Sequence, residues 1–332
     1  MSLERFLLTS VPKLNEVFRG GLGEESLIHI YGPYQSGKTL LIFQLIYELV
    51  MKGYGNALYI DTEASFKNNF SSEMRKRFED RFGKGVNIFD VVIERYASKG
   101  KKRREKEAEI RRYFEAILDD LGLEYSKEDL YDALMAFLKI IELKSTKSRH
   151  PSIYVLDTLD LSGLLSILNI EAEVTRVGEK TEVKIKRVGD PLSGSLSKFI
   201  RSYNIKFLVI DSLGMMVKGL AIGLADLPAR AAVTNLIIGG LIRLASNYRL
   251  IIFATNHESR NPVKNYYSFY GGNPIGYGFK YSLYLAKRGV GRRSLVVERA
   301  PTIPEKSLSI ELEIKDDGFY QVMDGDDKKG GG

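Results

Sequence analysis

At 332 residues, with 49 lysines and arginines against 42 aspartates and glutamates and a formal charge of +7, the chain is long enough for a large α/β domain and mildly basic. It contains no cysteine, which excludes disulfides, thiolate metal sites and cysteine nucleophiles. Met1 to Ser10 carries no signal-peptide pattern. The apolar runs Leu40 to Met51 and Ile153 to Ile170 are short or broken by Asp157 and Asp160, so a cytoplasmic protein with no membrane partner is expected.

From Ser26 the order Ser-Leu-Ile-His-Ile-Tyr reads as a buried strand, Gly32 to Gly37 as a glycine-bounded loop, and Lys38 to Lys52 as a helix apolar nearly all round. After breaks at Gly53 and Gly55, Ala57 to Asp61 is a second apolar strand ending in acid, which completes a βαβ unit. Gly32-Pro33-Tyr34-Gln35-Ser36-Gly37-Lys38-Thr39 fits the phosphate-binding loop GxxxxGK[ST]. In it backbone N–H groups curl round phosphates at a helix N-terminus, the lysine reaches the β/γ oxygens and the threonine ligates Mg2+. Gly32 to Thr39, with the following Leu40, are therefore the expected contacts to ATP.

Residues 99–195 read as an inserted module. It holds a basic run Lys101 to Arg104, helical stretches near Glu105 to Leu121 and Lys127 to Leu143, an apolar run, and a hairpin around Gly178. Further strands are predicted at Phe207 to Asp211, Arg249 to Asn256, Ser282 to Lys287, Ser294 to Arg299 and Leu308 to Ile314, with a helix from Ala229 to Asn247 between the first two. Their close succession at the end predicts antiparallel pairing. The expected division is thus a core in two halves, 1–98 and 196–318, the 99–195 insertion, and a flexible tail over 319–332, acidic and glycine-ended from Asp324.

Hydrolysis needs a carboxylate near Mg2+ and a group that positions water. Two strands end in candidates, Asp211 and Asp157, and Asp211 is preferred because a helix and another core strand follow it. Glu63, just beyond the second strand, is the general-base candidate, with a helix-start carboxylate as the competing reading. His257, after Ala254-Thr255-Asn256, is either a γ-phosphate sensor or a surface histidine. His29 and His150 show no metal-ligand spacing.

These motifs together resemble the RecA/RadA recombinase superfamily, and most of all the archaeal RadA-like paralogues of the RadB type. The resemblance runs over Leu8 to Ser98 and Leu196 to Ile314. It is carried by Leu8-Thr9-Ser10, Gly20-Gly21-Leu22, the phosphate loop, Tyr59-Ile60-Asp61-Thr62-Glu63, Leu208 to Ser212, Thr255-Asn256-His257 and Gly271-Gly272-Asn273-Pro274. It implies an α/β fold, a RecA-like P-loop NTPase core with a mostly parallel central sheet, an antiparallel C-terminal edge and an inserted α+β module. It also implies a slow ATPase in which Lys38, Glu63 and His257 act at the phosphates, and Thr39 and Asp211 serve the metal. His257 stands where the family usually has glutamine, and Lys67 where an arginine packs on adenine. Arg299 and Pro301 lie in a segment similar to the cap over a neighbouring subunit's nucleotide, which implies a homo-oligomer or an assembly with another RecA-like protein.

By the same resemblance two loops, Leu213 to Pro228 and Glu258 to Tyr270, face DNA. Arg230, Arg260, Lys264, Tyr266 and Tyr267 are the expected contacts to single-stranded DNA, combining cations for phosphates with rings for bases. A recombination or repair accessory ATPase is the resulting expectation. A KaiC-like regulatory ATPase without a DNA role is the alternative.

Overall fold

The computed structural model describes residues 4–63, 66, 70–91, 151–157, 160–177, 180–218, 220, 227–261, 266–301 and 303–323. Its elements, in chain order, are β1 (Arg5–Phe6), α1 (Lys13–Val17), β2 (Leu22–Gly23), β3 (Leu27–Gly32), α2 (Lys38–Met51), β4 (Asn56–Asp61), α3 (Ser72–Phe82) and β5 (Asn87–Val91). Next come β6 (Ser152–Asp157), α4 (Leu161–Ile167), β7 (Ile170–Val177), β8 (Lys180–Val188), α5 (Ser195–Ser202), β9 (Ile205–Asp211), α6 (Leu213–Lys218) and α7 (Leu227–Tyr248). The last are β10 (Ile251–Asn261), β11 (Tyr266–Phe269), α8 (Gly272–Gly278), β12 (Tyr281–Lys287), β13 (Arg292–Arg299), β14 (Ser309–Lys315) and β15 (Gly318–Gln321).

One sheet runs β15-β14-β13-β12-β3-β10-β9-β4-β6-β5, with β11 paired to β10 off this path. From β12 to β5 every neighbouring pair is parallel, and from β12 to β15 every pair is antiparallel, as the sequence predicts. Because side chains alternate along a strand, each central strand fills two apolar layers. Ala57, Tyr59, Phe207, Val209, Ile251 and Phe253 enter the layer under α2, whereas Leu58, Ile60, Leu208, Ile210, Ile252 and Ala254 enter the layer under α5 and α7. Helix α2 is buried over Leu41–Val50, which accounts for its all-round apolar sequence.

Two expected boundaries differ. Ser152–Asp157, read as part of the 99–195 insertion, lies inside the main sheet between β4 and β5. Ile153–Leu156 is apolar on both faces because both faces are covered. Of the remaining insertion, α4 and the β7-β8 hairpin are described, and the helical stretches predicted between 105 and 143 lie outside the described residues. The 319–332 tail likewise begins too early. Phe319 is fully buried, and both polar atoms of its backbone are bonded by the Gln44 side chain of α2, at 2.9 and 2.6 Å. Residues 324–332 lie outside the described residues, and among those described no helix is long and apolar enough to cross a membrane.

His29 on β3 is buried against Tyr31, Phe269 and Phe279, with Nδ1 3.4 Å from Ser282 Oγ. Burial, helped by the charge of Arg299, lowers its pKa from 6.5 to about 3. The unfolded chain therefore takes up a proton near pH 6.5 that the folded chain refuses until about pH 3, so this contribution to stability is present above pH 6.5 and shrinks as the pH falls. Urea melts at pH 6.5 and 4.5 should show His29→Gln losing ~2 kcal/mol less than wild type over that interval. Equal losses would place the histidine in a solvated site.

Candidate nucleotide site

The strands β3, β10, β9 and β4 lie side by side and parallel, so their C-terminal ends open on one crevice. Register aligns Gly32 with His257 and Asp61 with Asp211. The chain leaves β3 through the phosphate loop and enters α2 at Gly37, whose φ of 99° suits glycine. A Cβ on Gly37 would lie 2.8 Å from the Phe319 ring, so the loop lies against β15 as well as β3. From β13, Arg293 Nε donates to the Ser36 carbonyl at 2.8 Å.

Lys38 is buried, and its Nζ donates to the carbonyls of Gly32 at 3.2 Å and Pro33 at 2.9 Å, which curls the loop around its own lysine. Burial lowers the Lys38 pKa, while the carboxylates of Asp211 and Glu63 act to raise it. Asp211 is also buried. Its Oδ2 accepts from Thr39 Oγ1 at 2.7 Å and Tyr59 at 2.5 Å, and its Oδ1 accepts from Thr255. Burial pushes its pKa up despite these three hydroxyl donors. The Asp211–Ser212 peptide bond is cis.

Glu63 is positioned by its own turn. Asp61, fully buried, accepts the backbone N–H groups of Glu63 at 3.1 Å and Phe66 at 2.6 Å. Thr62 ties the turn to β9, accepting from Ser212 N at 2.8 Å and donating to Ser212 O at 3.0 Å. Glu63 Oε1 then receives Ser212 Oγ at 2.5 Å and lies 2.9 Å from His257 Nε2. Burial raises the Glu63 pKa, but the bonds to His257 and Ser212 and the charge of Lys38 outweigh it and hold the carboxylate below its usual range.

These groups line one cavity of about 580 Å³. Its polar lining is Tyr34, Gln35, Gly37, Lys38, Thr39, Glu63 and His257, and its apolar lining is Leu40, Phe43, Phe66, Phe70 and Met74. Such a mixture offers charged and polar partners for phosphates and apolar surface for a base. The donor set fits Mg2+ with phosphate: the neutral hydroxyl of Thr39 beside the Asp211 carboxylate offers hard oxygen ligands, and the phosphates would supply others. Among the described residues no group of three or more His, Asp or Glu could hold a metal without such help.

The crevice thus joins Gly32 to Leu40, Glu63, Asp211 and His257. It leaves out Arg299, which is half-buried at the end of β13 and donates from Nη2 to the Phe279 carbonyl of its own chain at 2.6 Å. Pro301 is exposed beside it. Arg230 is half-buried in the first turn of α7. Arg260, Tyr266 and Tyr267 lie on the β10-β11 hairpin, with Arg260 opposite Tyr267, where the sequence suggests a loop. Lys67 and Lys264 lie outside the described residues. Asp157 ends β6 opposite Asp61, two strands further from the phosphate-loop strand than Asp211.

Sequence reasoning missed Tyr59, Thr255, Ser212 and Arg293. Tyr59 and Thr255 read as ordinary residues of apolar strands. Tyr59 stands two residues before the end of β4 and Thr255 lies within β10, on the two strands that flank the one ending in Asp211.

Comparison with known proteins agrees with this geometry. The family model described as "ATPase: KaiC" matches residues 7–133, a stretch that includes the phosphate loop and Glu63. The DNA repair and recombination protein RadA of Methanocorpusculum labreanum is 24% identical over 316 residues, covering 92% of this chain and 73% of that protein. The chain is similar to members of the RecA/RadA superfamily. Shorter stretches match more closely. The DNA repair and recombination protein RadB of Thermococcus gammatolerans is 43% identical over 68 residues, 20% of this chain and 29% of that protein. Protein RecA of Delftia acidovorans is 35% identical over 74 residues, 22% of this chain and 17% of that protein. The mostly parallel sheet, the antiparallel edge and the phosphate loop are those that the resemblance implies.

Proposed function

We propose that this chain is a Mg2+-dependent ATPase that serves DNA recombination or repair as an accessory factor in the cytoplasm. It acts as a homo-oligomer or beside another RecA-like protein, and single-stranded DNA meets its β10-β11 hairpin. The observation that carries the reading is the convergence of Lys38, Thr39, Asp211 and Glu63 at one end of the sheet. The names of the RadA, RadB and RecA relatives support the DNA role.

In this reading Lys38 and the loop N–H groups hold the phosphates, and Thr39 and Asp211 hold magnesium, which when bound neutralises charge on the phosphate oxygens. Glu63 takes the proton of the attacking water. Buried hydroxyls of Tyr59 and Thr255 fix Asp211 so that it need not reorganise.

Turnover measured with and without single-stranded DNA across a salt series tests the DNA role, with stimulation that disappears at high salt as the expected result. Replacing Arg260 and Lys264 together with alanine should flatten the log-log salt dependence of DNA binding by about two units. An unchanged slope would remove both from the contact surface. The match of residues 7–133 to the KaiC model favours a second reading, a regulatory ATPase indifferent to DNA. DNA-independent turnover at every salt concentration would select it.

A further inference from the structure

The phosphate loop rests on the last strand of the sheet. Phe319 of β15 is fully buried, and its ring lies against Gly37, where the loop turns into α2. A Cβ at Gly37 would lie 2.8 and 3.2 Å from two carbons of that ring and 3.6 Å from a methyl of Ile314 on β14. Two side chains fix the backbone that carries the ring. Gln44, in the second turn of α2, accepts from the Phe319 N–H at 2.6 Å and donates to its carbonyl at 2.9 Å. Arg81 of α3 donates to the same carbonyl at 2.7 Å and to that of Asp317 at 2.9 Å, with its guanidinium 3.7 Å from the centre of the Tyr320 ring. Between them Gly318 takes φ 117°, and a Cβ there would run into Gln44 Oε1.

Resting on the nucleotide-binding reading above, we propose that β15 is the seat of the phosphate loop, with Phe319 as a positioning residue: the loop holds its phosphate-binding shape while β15 is docked on α2, so phosphate binding and strand docking reinforce each other. A phosphate loop works by presenting its N–H groups in one direction at a helix N-terminus. That direction is set where Gly37 adopts φ 99°, one of several conformations open to a glycine. The ring beneath Gly37 removes the space for the others. Without it the ligand itself would have to order the loop, and the lost entropy would lower affinity.

The same edge of the sheet holds the preceding residue, since Arg293 of β13 donates to the Ser36 carbonyl at 2.8 Å. Glu63, Asp211 and His257 stand at the ends of β4, β9 and β10, away from this edge, so the seat governs affinity and leaves the chemical step alone. As an edge strand of four residues, β15 can open without undoing the sheet behind it. Coupling of this kind is reciprocal, so bound phosphate must hold the strand in place.

The test uses the full-length protein, and its first part needs no variant. Hydrogen exchange of wild-type amides is followed with and without saturating ADP and magnesium. Residues 318–321 should exchange about tenfold more slowly with the nucleotide while the β7-β8 hairpin keeps its rate, because a ligand that binds one form of an equilibrium favours that form. In the second part Phe319→Ala should bind ADP and a non-hydrolysable ATP analogue about tenfold more weakly, the effect of having to order roughly one residue of backbone. Its KM for ATP should rise by a similar factor with kcat within about twofold of wild type. Phe319→Leu, which refills the space, should stay within about threefold of wild-type affinity. A thermal melt reports folding, and if Phe319→Ala does not fold the exchange result decides. Unchanged exchange at 318–321 while the phosphate loop is protected, or a folded Phe319→Ala that binds like wild type or loses kcat as much as affinity, overturns the seat and leaves the ATPase reading intact. Wild type that binds neither nucleotide would bring down both.

Discussion

Lys38→Ala should lose about two orders of magnitude in affinity for Mg·ATP, on the order of 3 kcal/mol for a charge-assisted contact to phosphate. The structure makes the effect local. Among the described residues Lys38 Nζ bonds the Gly32 and Pro33 carbonyls of its own loop, so the variant keeps the sheet and both apolar layers. Equilibrium titration with a fluorescent ATP analogue, paired with a thermal melt, separates lost binding from lost folding. The melt should barely move, because a buried ammonium costs desolvation that its two carbonyl bonds only offset.

Glu63→Gln should have the opposite profile, with binding kept and turnover lowered by about 100- to 10,000-fold, the span usual for removing a general base. Glutamine has the same shape. Its carbonyl oxygen can still accept from Ser212 and His257 at the position of Oε1, so the turn set by Asp61 and Thr62 survives. What disappears is the capacity to take a proton. If phosphate release by Glu63→Gln matched wild type, the base would have to be sought elsewhere. The two variants are complementary, because one removes the ground-state grip and the other leaves it untouched.

Much of this site was legible in the sequence because its parts are local. A strand, a glycine-bounded turn and a buried helix within residues 26–52 specify a phosphate loop wherever the rest of the chain goes. Asp211 and Glu63 were legible for a related reason, since polar residues at the ends of apolar strands face the crevice of an open parallel sheet. Sheet order was not. Ile153–Leu156 reads as an apolar run in any position. Its place between β4 and β5 depends on pairing across a gap that runs from Val91 to Ser152, and nothing in either strand announces that. The tail boundary failed similarly, since the burial of Phe319 comes from Gln44 and Gly37, more than 270 residues away along the chain.

The partners of Asp211 show a further limit. Tyr59 and Thr255 belong to strands whose pattern demands apolar or β-branched residues, so their hydroxyls look incidental until the sheet brings them to one carboxylate. Arg299 shows the converse. Its charge and its place near a cap-like segment suggest an outward role, and its guanidinium also donates to the Phe279 carbonyl within its own chain. A backbone acceptor of this kind leaves no trace in sequence.

In the proposed function one crevice both binds the nucleotide and hydrolyses it. The most direct test is a phosphate-release time course of the wild-type protein with Mg·ATP, run beside equilibrium binding of a non-hydrolysable analogue to the same preparation. Analogue binding accompanied by phosphate release over many turnovers is the predicted result. Tight binding with no release above the buffer rate would contradict it, and would make the crevice a site that holds a nucleotide without acting on it.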